Sequence, residues 1–473
     1  MIIMSREKSL AKNTIIITIG KVCTQLISFF LLPLYTGILT TEEYGTVDLL
    51  NTLVSLMLPI VTLQVEQALF RELIEVRKNE EKQKLIISSS IITVIFQCLL
   101  YLILFVCISP FVKNTYKYFL ASNVVVHIFL SLFQQTARGL GKNKEYAIGS
   151  FISAFFTILF NILFLVVIKL GAYGMLIGTM CGQIVAIVYL LIILKLHKYI
   201  AIKKYKKEIV KKLLKYSIPL IPNAICWWVF NASDRVIVST ALGLNQNGIL
   251  AASLKFSSVM ITFYNIFNLS WTESIALHIN DKDIKEYFTK MFNVILKLFT
   301  SIGFGIIACM PFIFPILIRK KFIEGYVLVP ISIIAAIFHV VVGSISVIYV
   351  AKKNTKAIAN TSIISAIINI VVHLSLIKFV GLYAAVISTF GAFFTMSIYR
   401  LYDIKKKYFK IQIDNKFILL SMIVLAIIMT TYYINNLFLN IFSLLVAILY
   451  AFYINKDSIN TILNLLKKKI KKV

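Results

Sequence analysis

Acidic side chains are scarce in this chain. Only 20 of its 473 residues are Asp or Glu, and charged residues of both signs make up 15%. A soluble domain of this length needs far more polar surface, so a water-soluble protein is excluded. Cysteine is scarce as well: Cys23, Cys98, Cys107, Cys181, Cys226 and Cys309 all lie in apolar runs without metal-ligand spacing. They read as small buried hydrophobes, and neither a disulfide framework nor a metal site is expected. No Gly-rich loop precedes a Lys-Ser/Thr pair, which excludes a P-loop nucleotide site, and there is no HExxH or paired-histidine motif. No exposed Ser/His/Asp arrangement occurs either. The chain is expected to move something rather than convert it, and to do so without a cofactor.

What is present is apolar sequence: 59% hydrophobic residues and a mean hydropathy of +0.88. Runs of roughly 20 apolar residues, each able to cross a ~30 Å hydrocarbon core as a helix, recur from end to end. Spans are expected near 13–33, 45–70, 85–109, 117–138, 146–168, 173–194, 214–240, 247–277, 287–310, 326–350, 357–378, 382–400, 417–434 and 437–455. The fold class is therefore an all-α polytopic membrane protein with about 14 transmembrane helices. The start, MIIMSREKSLAKNT, is charged and has no small-residue cleavage site, so it is not read as a signal peptide.

The net charge is +29, carried by 49 Lys+Arg. Its placement argues for topology rather than for a nucleic-acid partner. With both termini cytoplasmic, only Lys113, Lys117, Lys169, Arg319, Lys320, Lys321 and Lys378 fall in outside loops. Lys21, Arg235, Lys255 and Lys297 fall within spans, and the remaining basic residues are inside. That is the positive-inside pattern. The outside loops are short and leave no room for an external catalytic domain.

Two basic connectors punctuate the chain. KLHKYIAIKKYKKEIVKKLLK, Lys195 to Lys215, holds nine lysines, and YRLYDIKKKYFK runs from Tyr399 to Lys410. They divide it into an N-terminal six-helix lobe (1–195), a basic cytoplasmic linker (196–213), a C-terminal six-helix lobe (214–400) and a final helix pair with a basic tail (401–473). A faint repeat supports two halves: Leu32 to Leu50 laid over Arg235 to Ser253 aligns Leu39 with Leu242 and Gly45 with Gly248. Six spans per half make this a parallel repeat.

Polar residues inside spans are the informative ones, because a charge at the bilayer centre costs about 3 kcal/mol on insertion scales. The first span carries a stripe of Thr14, Thr18, Lys21, Gln25 and Ser28, and the second carries Asp48, Thr52, Ser55 and Glu66. The seventh has Asn223, Trp227, Asn231, Asp234 and Arg235; the eighth has Lys255, Ser258, Thr262, Asn265 and Glu273; the ninth has Lys297. Stripes on equivalent helices of both halves imply a shared polar cavity. Its cations are expected to be Lys21, Arg235, Lys255 and Lys297. Its polar lining is expected to be Thr18, Gln25, Thr52, Asn223, Trp227, Asn231, Thr262 and Asn265. Asp48, Asp234 and Glu273 are candidates for ion coupling. Glu66 is expected to pair with Arg71, and His127, His339 and His373 are read as helix–helix hydrogen-bonding groups rather than proton relays. In the first outside connector, Thr40 and Glu43 have the spacing of a capping box for the second helix.

Three stretches resemble a known family. LLPLYTGILTTEEYGTVDLL, Leu31 to Leu50, resembles the first external connector of the polysaccharide-biosynthesis flippases, the Wzx-type O-antigen and capsule transporters. EQALFRELIE, Glu66 to Glu75, is similar to the end of their second helix, and YSIPLIPNAICWWVFNASDRVIVS, Tyr216 to Ser239, to the start of their second half. Many relatives carry a basic residue where this chain has Gly37. The resemblance implies the MATE-like fold of the MOP exporter superfamily, with two pseudo-symmetric six-helix lobes plus two C-terminal helices. It also implies alternating access around a cationic cavity, in the bacterial cytoplasmic membrane. The implied substrate is an undecaprenyl-diphosphate-linked oligosaccharide, a repeat unit for lipopolysaccharide O-antigen, capsule or another surface glycan. Membrane lipids and the pathway's polymerase or ligase are the implied partners. Rival readings are a lipid II flippase and an ion-coupled multidrug antiporter, the latter disfavoured by the basic residues in the spans. A polymerase or ligase of the same pathway is an enzyme, and would need the large external loop this chain lacks.

Overall fold

The computed structural model describes residues 29, 31–199, 205–352 and 354–460. Among them there are helices and no strands. Thirteen helices are long and apolar enough to cross a membrane, and they match the second to the fourteenth expected spans one for one. The first expected span lies almost wholly outside the described residues. The protein is an all-α polytopic membrane protein.

Contacts divide the chain into two compact units between Ser239 and Thr240. The first contains α1 (Leu32–Ile38), α2 (Thr41–Thr62), α3 (Val65–Glu75), α4 (Glu80–Ile108), α5 (Lys117–Gly139), α6 (Asn143–Ile162), α7 (Gly171–Ile193), α8 (Lys207–Ser217) and most of α9 (Ile221–Ala241). This boundary falls beyond the basic linker at 196–213. The physical reason is local: α8 and α9 are both fastened to helices of the first unit. Val210 and Leu213 of α8 are buried, Lys212 pairs with Glu72 at 2.5 Å, and the Arg71 guanidinium lies over the Tyr216 ring at 5.5 Å.

The capping box is formed. The Glu43 N–H donates to Thr40 Oγ1 at 3.1 Å, and the Thr40 N–H donates to Glu43 Oε2 at 2.8 Å. The other Glu43 oxygen accepts from the Ala172 N–H at 3.3 Å, in the first turn of α7. One carboxylate thus caps both α2 and α7, which accounts for an acidic residue in the first turn of α2. α2 ends where Leu63 and Gln64 both take left-handed backbone angles, and α3 continues after this break.

The α6–α7 pair is packed through glycines. A Cβ on Gly182 would lie 2.5 Å from the Thr157 backbone nitrogen, and one on Gly178 would lie 2.9 Å from that of Asn161. Small residues four apart let backbones approach when lipid gives no hydrophobic drive for helices to associate. Around them, Leu69, Leu73, Ile87, Ile91, Val124, Ile128, Leu132, Ala186 and Leu190 form the apolar core of the first unit.

The second unit contains α10 (Leu244–His278), α11 (Ile284–Leu317), α12 (Val329–Ala351), α13 (Thr355–Val380), α14 (Tyr383–Lys407), α15 (Asn415–Ile434) and α16 (Leu437–Ile454). α10 is joined to α12 where Trp271 Nε1 donates to the Ser344 carbonyl at 3.1 Å and the Tyr264 hydroxyl meets that of Ser344 at 3.2 Å. The last two helices pack on α11, and Asn455 Nδ2 donates to Ser301 Oγ at 2.9 Å.

Candidate functional site

In the first unit, α2 and α9 run antiparallel and meet at two polar contacts. Arg235 Nε lies 2.8 Å from Asp48 Oδ2, with side chains 20% and 17% exposed. Further along α2, Trp228 Nε1 donates to the Thr52 carbonyl at 2.9 Å. An arginine taken out of water needs an anion beside it, and Asp48 is that anion. One residue expected to bind substrate and one expected to couple an ion are therefore each other's partners.

The rest of the first unit's candidates divide by exposure. Trp227 and Asn223 are exposed, while Thr52 and Asp234 are buried. Lys21, Thr18 and Gln25 lie outside the described residues, as does the side chain of Asn231. Glu66 does not pair with Arg71: Arg71 meets Glu75 at 3.7 Å, and Glu66 is buried at 3% exposure. The helix geometry explains this, because Arg71 and Glu75 are one turn apart on the exposed face whereas Glu66 faces inward.

In the second unit, α10 presents Lys255 half-buried and Asn265 and Glu273 exposed. The Thr262 hydroxyl donates to the Ser258 carbonyl of its own helix at 2.8 Å. Lys297 is placed differently from the other cations. Its ammonium donates to Asp414 Oδ2 at 3.2 Å, in a cavity of about 840 Å³ lined by Lys297, Asp414, Lys416, Tyr450, Tyr453 and Lys456. Asp414 also caps α15, accepting from the Lys416 and Phe417 N–H groups. Burial alone would raise its carboxyl, but the Lys297 hydrogen bond and the α15 N–H groups outweigh that and hold it below the usual range.

One functional-looking cation escaped the sequence reading. Arg400 stands at the inner end of its expected span, but its side chain is 2% exposed. Its guanidinium donates to Thr361 Oγ1 at 2.7 and 3.1 Å, to the Val342 carbonyl at 3.4 Å and to Ser346 Oγ. It thereby joins α12, α13 and α14 without a carboxylate. Tyr349 lies beside it and donates its hydroxyl proton to Asp403 at 2.7 Å. The hydroxyls of Ser346, Thr361 and Ser362 were the available signal, since they mark apolar helices that must satisfy a buried donor.

The fold is similar to that of solved membrane transporters. A lipid II flippase, MurJ, in an inward closed conformation superposes with a TM-score of 0.71 at 16% identity, covering 95% of this chain and 100% of that one. An inward-facing multidrug resistance MATE transporter superposes with a TM-score of 0.65 at 12% identity, covering 83% of this chain and 99% of that one. These likenesses define the fold. Residues 10–271 match the family described as polysaccharide biosynthesis protein, and the chain belongs to that family. No curated protein matches the sequence significantly.

Proposed function

We propose that this protein is a flippase that carries an undecaprenyl-diphosphate-linked oligosaccharide across the bacterial cytoplasmic membrane by alternating access. The observation that carries the reading is the match to the polysaccharide biosynthesis family over residues 10–271. The chemistry supports it. A diphosphate entering a low-dielectric region needs cations and N–H donors, and the candidates are Lys21, Lys255 and Arg235, with Lys297 a further contributor. Asn223, Trp227, Asn231, Thr262, Asn265, Thr18, Gln25 and Thr52 are the groups for the sugar. Both termini are cytoplasmic in this reading, and a polymerase or ligase uses the flipped product.

The MurJ likeness favours lipid II as the second reading. Proteoliposomes holding a fluorescent lipid-linked oligosaccharide separate the two. The proposal expects transport of the oligosaccharide carrier, and loss of that transport when Lys21 and Lys255 are both changed to Gln. Transport of lipid II alone would replace the first reading by the second.

A further inference from the structure

Inside the first unit, His127 of α5 lies within a chain of amides. Its Nδ1 is 3.2 Å from Asn123 Oδ1, and its Nε2 is 3.3 Å from Gln183 Nε2 of α7. Asn123 Nδ2 reaches Asn51 Oδ1 of α2 at 3.5 Å. Asn51 is exposed and His127 is partly exposed, whereas Asn123 and Gln183 are 1% and 7% exposed. In this arrangement Gln183 donates to an unprotonated Nε2, and the imidazole donates from Nδ1 to Asn123. With the amides oriented this way the ring carries a single proton, and Gln183 Oε1 is left buried with no hydrogen-bond partner.

That orphaned oxygen is the informative atom. A buried amide oxygen without a donor costs free energy, and a half-turn of the Gln183 amide would bring it to His127 Nε2. There it can accept a hydrogen bond only if Nε2 carries a proton. With Asn123 Oδ1 already on Nδ1, both ring nitrogens would then be donors to amide oxygens, the arrangement an imidazolium requires. The rotation would put the Gln183 NH2 where the oxygen now stands, so the same side chains could meet either charge state of the ring.

α5 packs against α2, α3, α4, α6 and α7. The ionisable groups these neighbours carry in their middle turns are Asp48 on α2, Cys98 and Tyr101 on α4, and Cys181 and Tyr189 on α7. α3 carries Glu66, Arg71, Glu72 and Glu75, and α6 has its charges, Lys144 and Glu145, in its first turn. Asp48 is one turn from Asn51 and is held by Arg235. Among the described residues, the imidazole's hydrogen-bond partners are the two amides. A proton arriving at Nε2 forms one N–H bond and adds a full positive charge, with no carboxylate in contact to cancel it.

We propose that His127 is a proton-binding site of the first unit, and the point at which a proton gradient drives transport. The coupling half of this statement rests on the flippase reading, and the proton-binding half does not. The test is ¹⁵N-histidine NMR of the full chain in lipid nanodiscs, with the His127 signal assigned by its loss in His127→Gln. The ring is expected to change its protonation state within the pH range over which the protein stays folded. Gln183→Leu removes the acceptor for the charged form and lowers the midpoint, while Gln183→Glu supplies a carboxylate and raises it, each by about one pH unit. A residue that only packs would not respond with opposite signs. In proteoliposomes, a pH gradient is expected to accelerate oligosaccharide-lipid flipping several-fold. His127→Gln should abolish that acceleration, and His278→Gln, at the exposed end of α10, should retain it. No titration in that window, or a midpoint unmoved in both Gln183 variants, overturns the proton site. Undiminished acceleration in His127→Gln overturns the coupling. Titration as expected with no flipping of any lipid-linked sugar would place the failure in the flippase reading.

Discussion

Asp48 and Arg235 form a 2.8 Å ion pair that binds α9 to α2. The pair sits between the limits of a fully exposed and a fully buried bridge, so removing one partner strands the other in a poorly solvated place. Asp48→Ala is expected to lower stability by about 2 kcal/mol, read as a fall in the thermal midpoint in nanodiscs. The swap Asp48→Arg with Arg235→Asp should recover more than half of that loss. A swap no better than the single change would mean that Arg235 needs no partner there.

Glu43 serves the N-termini of two helices, so its loss should exceed that of a single cap. Glu43→Ala is expected to cost about 1–2 kcal/mol. Glu43→Gln keeps the reciprocal hydrogen bond of the box and should cost less than half as much. Thermal unfolding of the two variants side by side tests the order.

Gly182 touches the backbone of Thr157, and a side chain there must push α6 and α7 apart. Gly182→Leu is expected to destabilise the first unit by about 1–3 kcal/mol. Hydrogen exchange should quicken along both helices. Gly305, with nothing near the place of its Cβ, should accept Ala with no such change.

How much of this was legible beforehand depends on the kind of residue. Thirteen spans and the capping box were readable because apolar length and the Thr40/Glu43 spacing are local properties of the chain. The partners of the charges were not. Asp48 and Arg235 are 187 positions apart, from Asp48 to Arg235, and nothing in either stretch specifies the other. Arg400 was misplaced for a similar reason: an arginine at a span end reads as a topology marker, and its hydroxyl partners lie on two other helices. His127 was read as a helix–helix contact, and that contact is present. What the sequence could not convey is the unpartnered Gln183 oxygen that makes it a two-state site.

Asp414 is held below the usual carboxylate range by Lys297 and the α15 N–H groups. A group whose folded-state pKa is depressed contributes stability above its unfolded value, near pH 3.9, and loses it as the pH falls. Docking of the last two helices is therefore expected to weaken below about pH 4. Asp414→Asn should show that weakening already at neutral pH, with less change on acidification. Cysteine accessibility at Tyr450→Cys, inside the cavity beside Lys297, reports the opening.

The central claim is that the protein flips a lipid-linked oligosaccharide, and reconstitution tests it most directly. Purified protein in proteoliposomes should move a fluorescent undecaprenyl-diphosphate oligosaccharide between leaflets faster than empty vesicles, and should leave a cationic dye untransported. Dye export without movement of the sugar carrier would contradict the account.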